Sequence, residues 1–134
     1  MKQIPRIKSM MTVFPNSIDI EAPIEQARIF MLQHSIRHLP VTENNKLAGL
    51  LTDRDIKLYL GPDMDYPEVS ETKVRDVYQD KPYIVDLDEP LDDVLMMMAE
   101  KHIGSVLITK GGKLVGVFTG MDACRGFAEY LREQ

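Results

Sequence analysis

Displacing the 134-residue chain by half its length, 67 positions, lays Lys46-Leu47-Ala48-Gly49-Leu50-Leu51-Thr52 over Lys113-Leu114-Val115-Gly116-Val117-Phe118-Thr119. The same shift superposes Pro15 on Pro82, Asp19 on Asp86, Pro23 on Pro90, Met31 on Met98, Ile36 on Ile103 and Asp55 on Asp122. From Ile7 to Gly61 there are 11 identities in 55 ungapped positions, and most other apolar positions stay apolar. Solenoid repeats are shorter and more numerous, so this is one unit duplicated once.

Both copies carry the same local signals. Ser17-Ile18-Asp19-Ile20 and Tyr83-Ile84-Val85-Asp86-Leu87 have the composition of short strands. Pro23 and Pro90 mark the first turn of a helix, where a missing N–H costs nothing. Leu91, Val94, Leu95, Met98 and Ala99 form an i, i+3, i+4, i+7, i+8 stripe, matched by Ile24, Ala27, Met31 and Leu32. The apolar runs 38–42 and 105–109 predict buried strands. Asn44-Asn45 and Gly111-Gly112, which tolerate positive φ, predict tight hairpins into the next strand. That strand ends at Thr52 or Thr119, where a last helix begins. The expected class is α/β (α+β): two β-α-β-β-α repeats, residues 6–62 and 73–132, joined by an acidic linker over 63–72. A unit of about 60 residues buries too little surface to be comfortable alone. The repeats are therefore expected to pack with pseudo-twofold symmetry into one module.

Composition narrows the function. Sixteen basic against 21 acidic residues, net −5, argues against a general nucleic-acid binder, since phosphate attraction drives such binding. No apolar run reaches the ~18 residues of a membrane span, and the first residues lack a secretion signal's apolar stretch. The single cysteine, Cys124, excludes an internal disulfide, so a reducing cytoplasm is expected. Cys124 has no histidine spaced to activate it, and His34, His38 and His102 have no metal-ligand spacing. Neither catalytic nor metal residues are expected.

Three features together resemble the paired cystathionine-β-synthase (CBS) motifs. They are the duplicated β-α-β-β-α unit, the segment Arg37-His38-Leu39-Pro40-Val41, and the Gly-apolar-apolar-Thr-x-x-Asp ending at Gly49–Asp55 and again at Gly116–Asp122. The leaders Ile7–Met11 and Val74–Tyr78 are similar to the small helix that precedes each motif. The resemblance covers roughly residues 6–130, leaving no catalytic domain. It implies a regulatory module that binds an adenosine nucleotide or related adenosyl ligand between its repeats and pairs into a disc-like homodimer.

The residues admit two readings. Thr52-x-x-Asp55 and Thr119-x-x-Asp122 have the spacing of a helix N-cap, in which the Thr hydroxyl accepts the N3 amide. A carboxylate at a strand–helix junction can also accept hydrogen bonds from a ribose diol, beside helix amides that suit phosphate. Arg37 and His38 are either a solvated cation and a packed imidazole or phosphate ligands, and Arg54 extends that cationic set. The 67-residue shift replaces Arg37, His38, Arg54 and Lys57 by Gly104, Ser105, Met121 and Cys124, so the two pockets are expected to differ. Gly104 would permit close approach of a base, and Tyr83 would either stack on adenine or pack in the core. On the family's arrangement Asp55 would share a pocket with Pro82, Tyr83, Ile84, Gly104 and Ser105. Asp122 would share one with Phe14, Pro15, Arg37 and His38. The nucleotide-binding set expected from the resemblance is therefore Thr52, Asp55, Thr119, Asp122, Arg37, His38, Pro40, Arg54, Tyr83, Gly104 and Ser105.

The leading expectation is a stand-alone sensor of AMP, ADP or ATP that requires no cofactor and acts on a separate effector protein, with neither nucleic acid nor membrane as partner. The alternative is a ligand-independent dimerisation module with degenerate pockets. An enzyme is the weakest reading, because no nucleophile–base pair is present.

Overall fold

The computed structural model describes residues 5–13, 16–61 and 69–133. Phe14, Pro15 and the linker acids Asp63, Asp65 and Glu68 lie outside the described residues. In chain order the elements are α1 (Ile7–Met10), β1 (Thr12–Val13), β2 (Ile18–Asp19), α2 (Ile24–His34), β3 (His38–Glu43), β4 (Lys46–Thr52), α3 (Asp53–Leu60), β5 (Ile84–Asp86), α4 (Leu91–Lys101), β6 (Ser105–Lys110), β7 (Lys113–Thr119) and α5 (Gly120–Arg132). Two 3-10 turns, Val69–Glu71 and Val74–Asp76, fall between α3 and β5. The fold is mixed α+β, with two sheets and five helices among the described residues.

Two compact units result, and each takes its leader from the other copy's side of the sequence. Residues through 82 join repeat one to the second leader, whereas the first leader, up to Val13, joins residues 83–133. In the first-repeat unit the sheet order is β2-β3-β4, with β3 parallel to β2 and antiparallel to β4. Val74, from the second leader, is fully buried in its core with Ile24, Leu39, Leu51 and Ile56. In the other unit the order is β1-β7-β6-β5, and Ile7 of α1 is buried with Val94, Val106, Ile108 and Phe118. Ile7 and Val74 are equivalent under the 67-residue shift, so each leader completes a core with one apolar plug.

The repeated identities have local causes. Asp19 and Asp86 each accept a backbone N–H two residues on, from Glu21 and Asp88, at 2.8 Å. Ser35 and His102 end α2 and α4 with φ of 54° and 55°, and the following Ile36 and Ile103 donate to Met31 and Met98 at 3.0 Å, closing Schellman motifs. Asn44-Asn45 and Gly111-Gly112 all have positive φ, as a tight hairpin with the sheet's own twist requires. In each hairpin the register slips at one point, leaving Ala48 and Val115 as bulge residues.

Three sequence expectations shift in detail. Pro23 and Pro90 sit one residue earlier than expected, as N-caps rather than within the first turn. Leu32 is 67% exposed and Ala99 is also exposed, because i+8 lies about 80° from i and falls off the edge of the stripe. Strand β2 is two residues long, where its counterpart β5 has three. Leu107 donates its N–H to the Tyr83 carbonyl at 2.8 Å, and Pro40, its equivalent, has no N–H to extend β2 toward Asn16.

The second leader is also tied down electrostatically. Glu21 pairs with Arg75 and with Lys73 (3.4 Å), and Arg75 reaches Glu43 at 3.2 Å. The Arg75 hydrogen bond, more than any other contact, holds the Glu21 carboxyl below its ordinary value of 4.5. A depressed folded-state pKa gives stability that is present above 4.5 and lost as pH falls through the depressed value. Glu21→Gln should therefore have a lower urea midpoint than wild type at pH 6, with the two midpoints converging towards pH 3. A gap that is constant across this range would contradict the clasp.

Candidate functional site

In each repeat the hairpin's second strand runs directly into a helix, at Thr52 and at Thr119. Thr52 is extended (φ −117°, ψ 155°), and its hydroxyl accepts the Asp55 N–H at 3.0 Å while the Asp55 carboxylate accepts the Thr52 N–H at 3.3 Å. Thr119 and Asp122 repeat this exchange at 3.2 and 2.9 Å. Both pairs are thus capping boxes with Asp in place of Glu or Gln at N3, and the capping reading of the spacing is realised in both.

The carboxylates differ in their remaining contacts. Asp55 Oδ2 also accepts from Gln79 Nε2 at 2.9 Å, and Oδ1 has no donor among the described residues. Asp122 is 4% exposed; its Oδ2 takes the Thr119 N–H and its Oδ1 takes Arg125 at 2.9 Å. Gln79 and Arg125 escaped the sequence reading because the 67-residue shift sets Gln79 over Thr12 and Arg125 over Leu58. The signal for both was the departure from symmetry.

Five of the expected residues meet at the first junction. His38 lies opposite Thr52 in the register, the Arg37 carbonyl accepts the Asp53 N–H at 3.0 Å, and Arg54 and Asp55 are in the first turn of α3. Arg37 and Arg54 are exposed, with no ion-pair partner among the described residues. Lys57 is held by Asp53 at 2.9 Å. Pro40 is buried within β3. The second junction has the same frame, with Gly104 and Met121 at the positions of Arg37 and Arg54. Ser105 lies opposite Thr119, and the Gly104 carbonyl accepts the Gly120 N–H at 3.0 Å. A Cβ on Gly104 would meet nothing within 4 Å, so packing does not demand glycine there. Tyr83, just before β5, is 42% exposed with Lys101 Nζ 5.7 Å from its ring centroid, and is not a core aromatic.

Two open grooves occur in the second-repeat unit, about 650 Å³ between α1 and α5 and about 770 Å³ between α1 and α4, and no expected site residue lines either. Among the described residues no three His, Cys, Asp or Glu side chains gather as a metal site, and no helix is long and apolar enough to cross a membrane. Cys124 is exposed on α5.

Comparison with known proteins agrees with this frame. The CBS domain description matches residues 7–62 and again 74–129. Inosine-5′-monophosphate dehydrogenase of Thermoplasma acidophilum is 33% identical over 121 residues, 90% of this chain but 23% of that protein, so the chain spans under a quarter of it. The CBS domain-containing protein YhcV of Bacillus subtilis is 32% identical over 114 residues, 83% of this chain and 77% of YhcV. Among solved structures, the CBS domain pair of protein MJ0100 in complex with 5′-methylthioadenosine and S-adenosyl-L-methionine superposes with a TM-score of 0.78 and 25% identity, covering 92% of this chain and 99% of that one. Two tandem family matches on a duplicated β-α-β-β-α frame make the conclusion plain: the chain belongs to the CBS domain family.

Proposed function

We propose that this CBS pair is a regulatory module that binds an adenosine nucleotide or adenosyl ligand at its strand–helix junctions and performs no chemistry itself. The observation that carries the reading is Asp55, fixed by its capping box and by Gln79 yet with one carboxylate oxygen unengaged among the described residues. That oxygen would accept a ribose hydroxyl, the Arg54 amide and the Arg37 and Arg54 guanidiniums would meet phosphate, and Thr52 and His38 would flank the sugar. Support also comes from the MJ0100 pair, solved in complex with 5′-methylthioadenosine and S-adenosyl-L-methionine. The second junction, built on Gly104, Ser105, Thr119 and Asp122, has Gly104 and Met121 in place of Arg37 and Arg54 and its Arg125 guanidinium already spent on Asp122, and suits an uncharged 5′ substituent better than a polyphosphate. Binding would shift the chain towards the packing that holds ligand more tightly, read by a second copy or by a separate effector protein.

Ligand-independent dimerisation is the second reading, favoured by Asp122, whose oxygens are both engaged and which is nearly buried. Thermal unfolding against AMP, ADP, ATP, NAD, 5′-methylthioadenosine and S-adenosylmethionine separates the two. A ligand at about 100 times its dissociation constant should add roughly 2.7 kcal/mol of stability. A response from at least one compound is expected, and a flat panel would favour the dimerisation module.

A further inference from the structure

Resting on the adenosine-binding reading, we propose that the two carboxylates are unequal by construction: Gln79 presents Asp55 with one oxygen open, Arg125 closes Asp122, and a ribose ligand therefore binds first at Asp55. The capping boxes are the same in both repeats, so the difference lies in the third contact. At Asp55 that contact comes from outside the helix. Gln79 and Leu50 exchange main-chain hydrogen bonds at 2.8 and 3.0 Å, which seats the residue, and its side-chain amide then donates to Oδ2. Oδ2 is already the cap acceptor, so the amide steadies the carboxylate without consuming Oδ1. Gln79 is thus a positioning residue.

At Asp122 the third contact comes from the same helix, one turn on. The Arg125 guanidinium takes Oδ1, the oxygen left open at Asp55. A diol arriving there must share Oδ1 with a charge-assisted hydrogen bond or displace it, and must do so at a nearly buried carboxylate. Copy one has Leu58 at the position of Arg125, and copy two has Thr12 at the position of Gln79. Both departures from the duplication therefore act on the same pair of acids, in opposite directions. Arg125 functions as an internal competitor for the second site.

Calorimetric titration of the full chain with AMP and with 5′-methylthioadenosine tests this. Two sites about tenfold apart are expected, Asp55→Asn removing the tighter and Asp122→Asn the weaker. Arg125→Leu, which installs copy one's residue, should strengthen the weaker site about fivefold and leave the tighter one unchanged. Gln79→Ala should weaken the tighter site about fivefold, while Gln79→Lys, which keeps a donor, should restore it to within about twofold. The main-chain seating of residue 79 persists in both variants, so a purely structural role would move urea midpoints without this pattern of loss and rescue. Two sites of equal affinity, or a weaker second site in Arg125→Leu, would overturn the inference while sparing the sensor reading. No binding to wild type or Arg125→Leu by either probe would end both.

Discussion

Gly49→Ala is expected to lower stability by about 3 kcal/mol, the upper part of the range for overpacking, and to reduce the melting temperature by roughly 10 °C. A Cβ built on Gly49 would lie 2.1 Å from the Gln79 carbonyl oxygen and 2.8 Å from the Tyr78 ring. The first of these is main chain, with no rotamer to turn aside. Relief requires lifting the second leader, which breaks the two Leu50–Gln79 hydrogen bonds and uncovers the buried Val74. Gly126→Ala provides the control. Its nominal contact is just as close, 2.0 Å, but with Cε of Met10, the far end of a flexible side chain. Alanine also gains about 1 kcal/mol of helix propensity over glycine within α5, so the net change should stay within about 1 kcal/mol of zero. Urea titrations of the two variants decide the matter, and hydrogen exchange at Leu50 and Gln79 locates it. Equal losses in both would mean that close approach alone, rather than approach to main chain, sets the cost.

That glycine shows what the sequence could and could not convey. Gly49 and Gly116 stood out as repeated letters, and the hairpin, the helix start at Thr52 and the buried runs beside them were all readable from periodicity and turn chemistry. The partner that makes glycine necessary was not. A leader with one apolar plug, Ile7 or Val74, satisfies the same pattern whichever repeat it caps, and nothing in a 67-residue shift says that each joins the other copy. The shortened β2 was legible in principle, since Pro40 advertises a missing N–H, but only once its neighbour across the sheet was known. At the junctions, the capping role of Thr52-x-x-Asp55 followed from spacing. The contacts that distinguish Asp55 from Asp122 come from residues whose types differ between copies, Gln79 and Arg125; the 67-residue shift marks both as departures from symmetry but does not say which acid each one touches.

Phe118→Ala should have the largest effect of any single truncation, about 4 kcal/mol within the range for deleting a buried phenyl ring. Phe118 is fully buried on β7, opposite Val106, and shares its cluster with Val94, Met98, Ile108 and the leader residue Ile7. Most of these neighbours are on strands and a helix already fixed by main-chain hydrogen bonds, so they can collapse only partly into the vacated space. Ile7 is the exception. Its helix, α1, is four residues long and has no side-chain cap, too short to hold its shape without the core beneath it. The cavity should therefore be relieved by loosening α1 and the β1–β7 pairing, with protection at Thr12 and Val13 lost before that of β6. Leu51, the equivalent residue of repeat one, is equally buried but smaller, and Leu51→Ala should cost about 3 kcal/mol. Phe118→Leu, which keeps much of the volume, should cost about 1.5 kcal/mol or less. If Phe118→Ala cost under 1 kcal/mol, or if exchange rose first in β6 rather than β1, the leader could not be the element that closes this core. The reciprocal exchange of leaders would then lose its energetic basis.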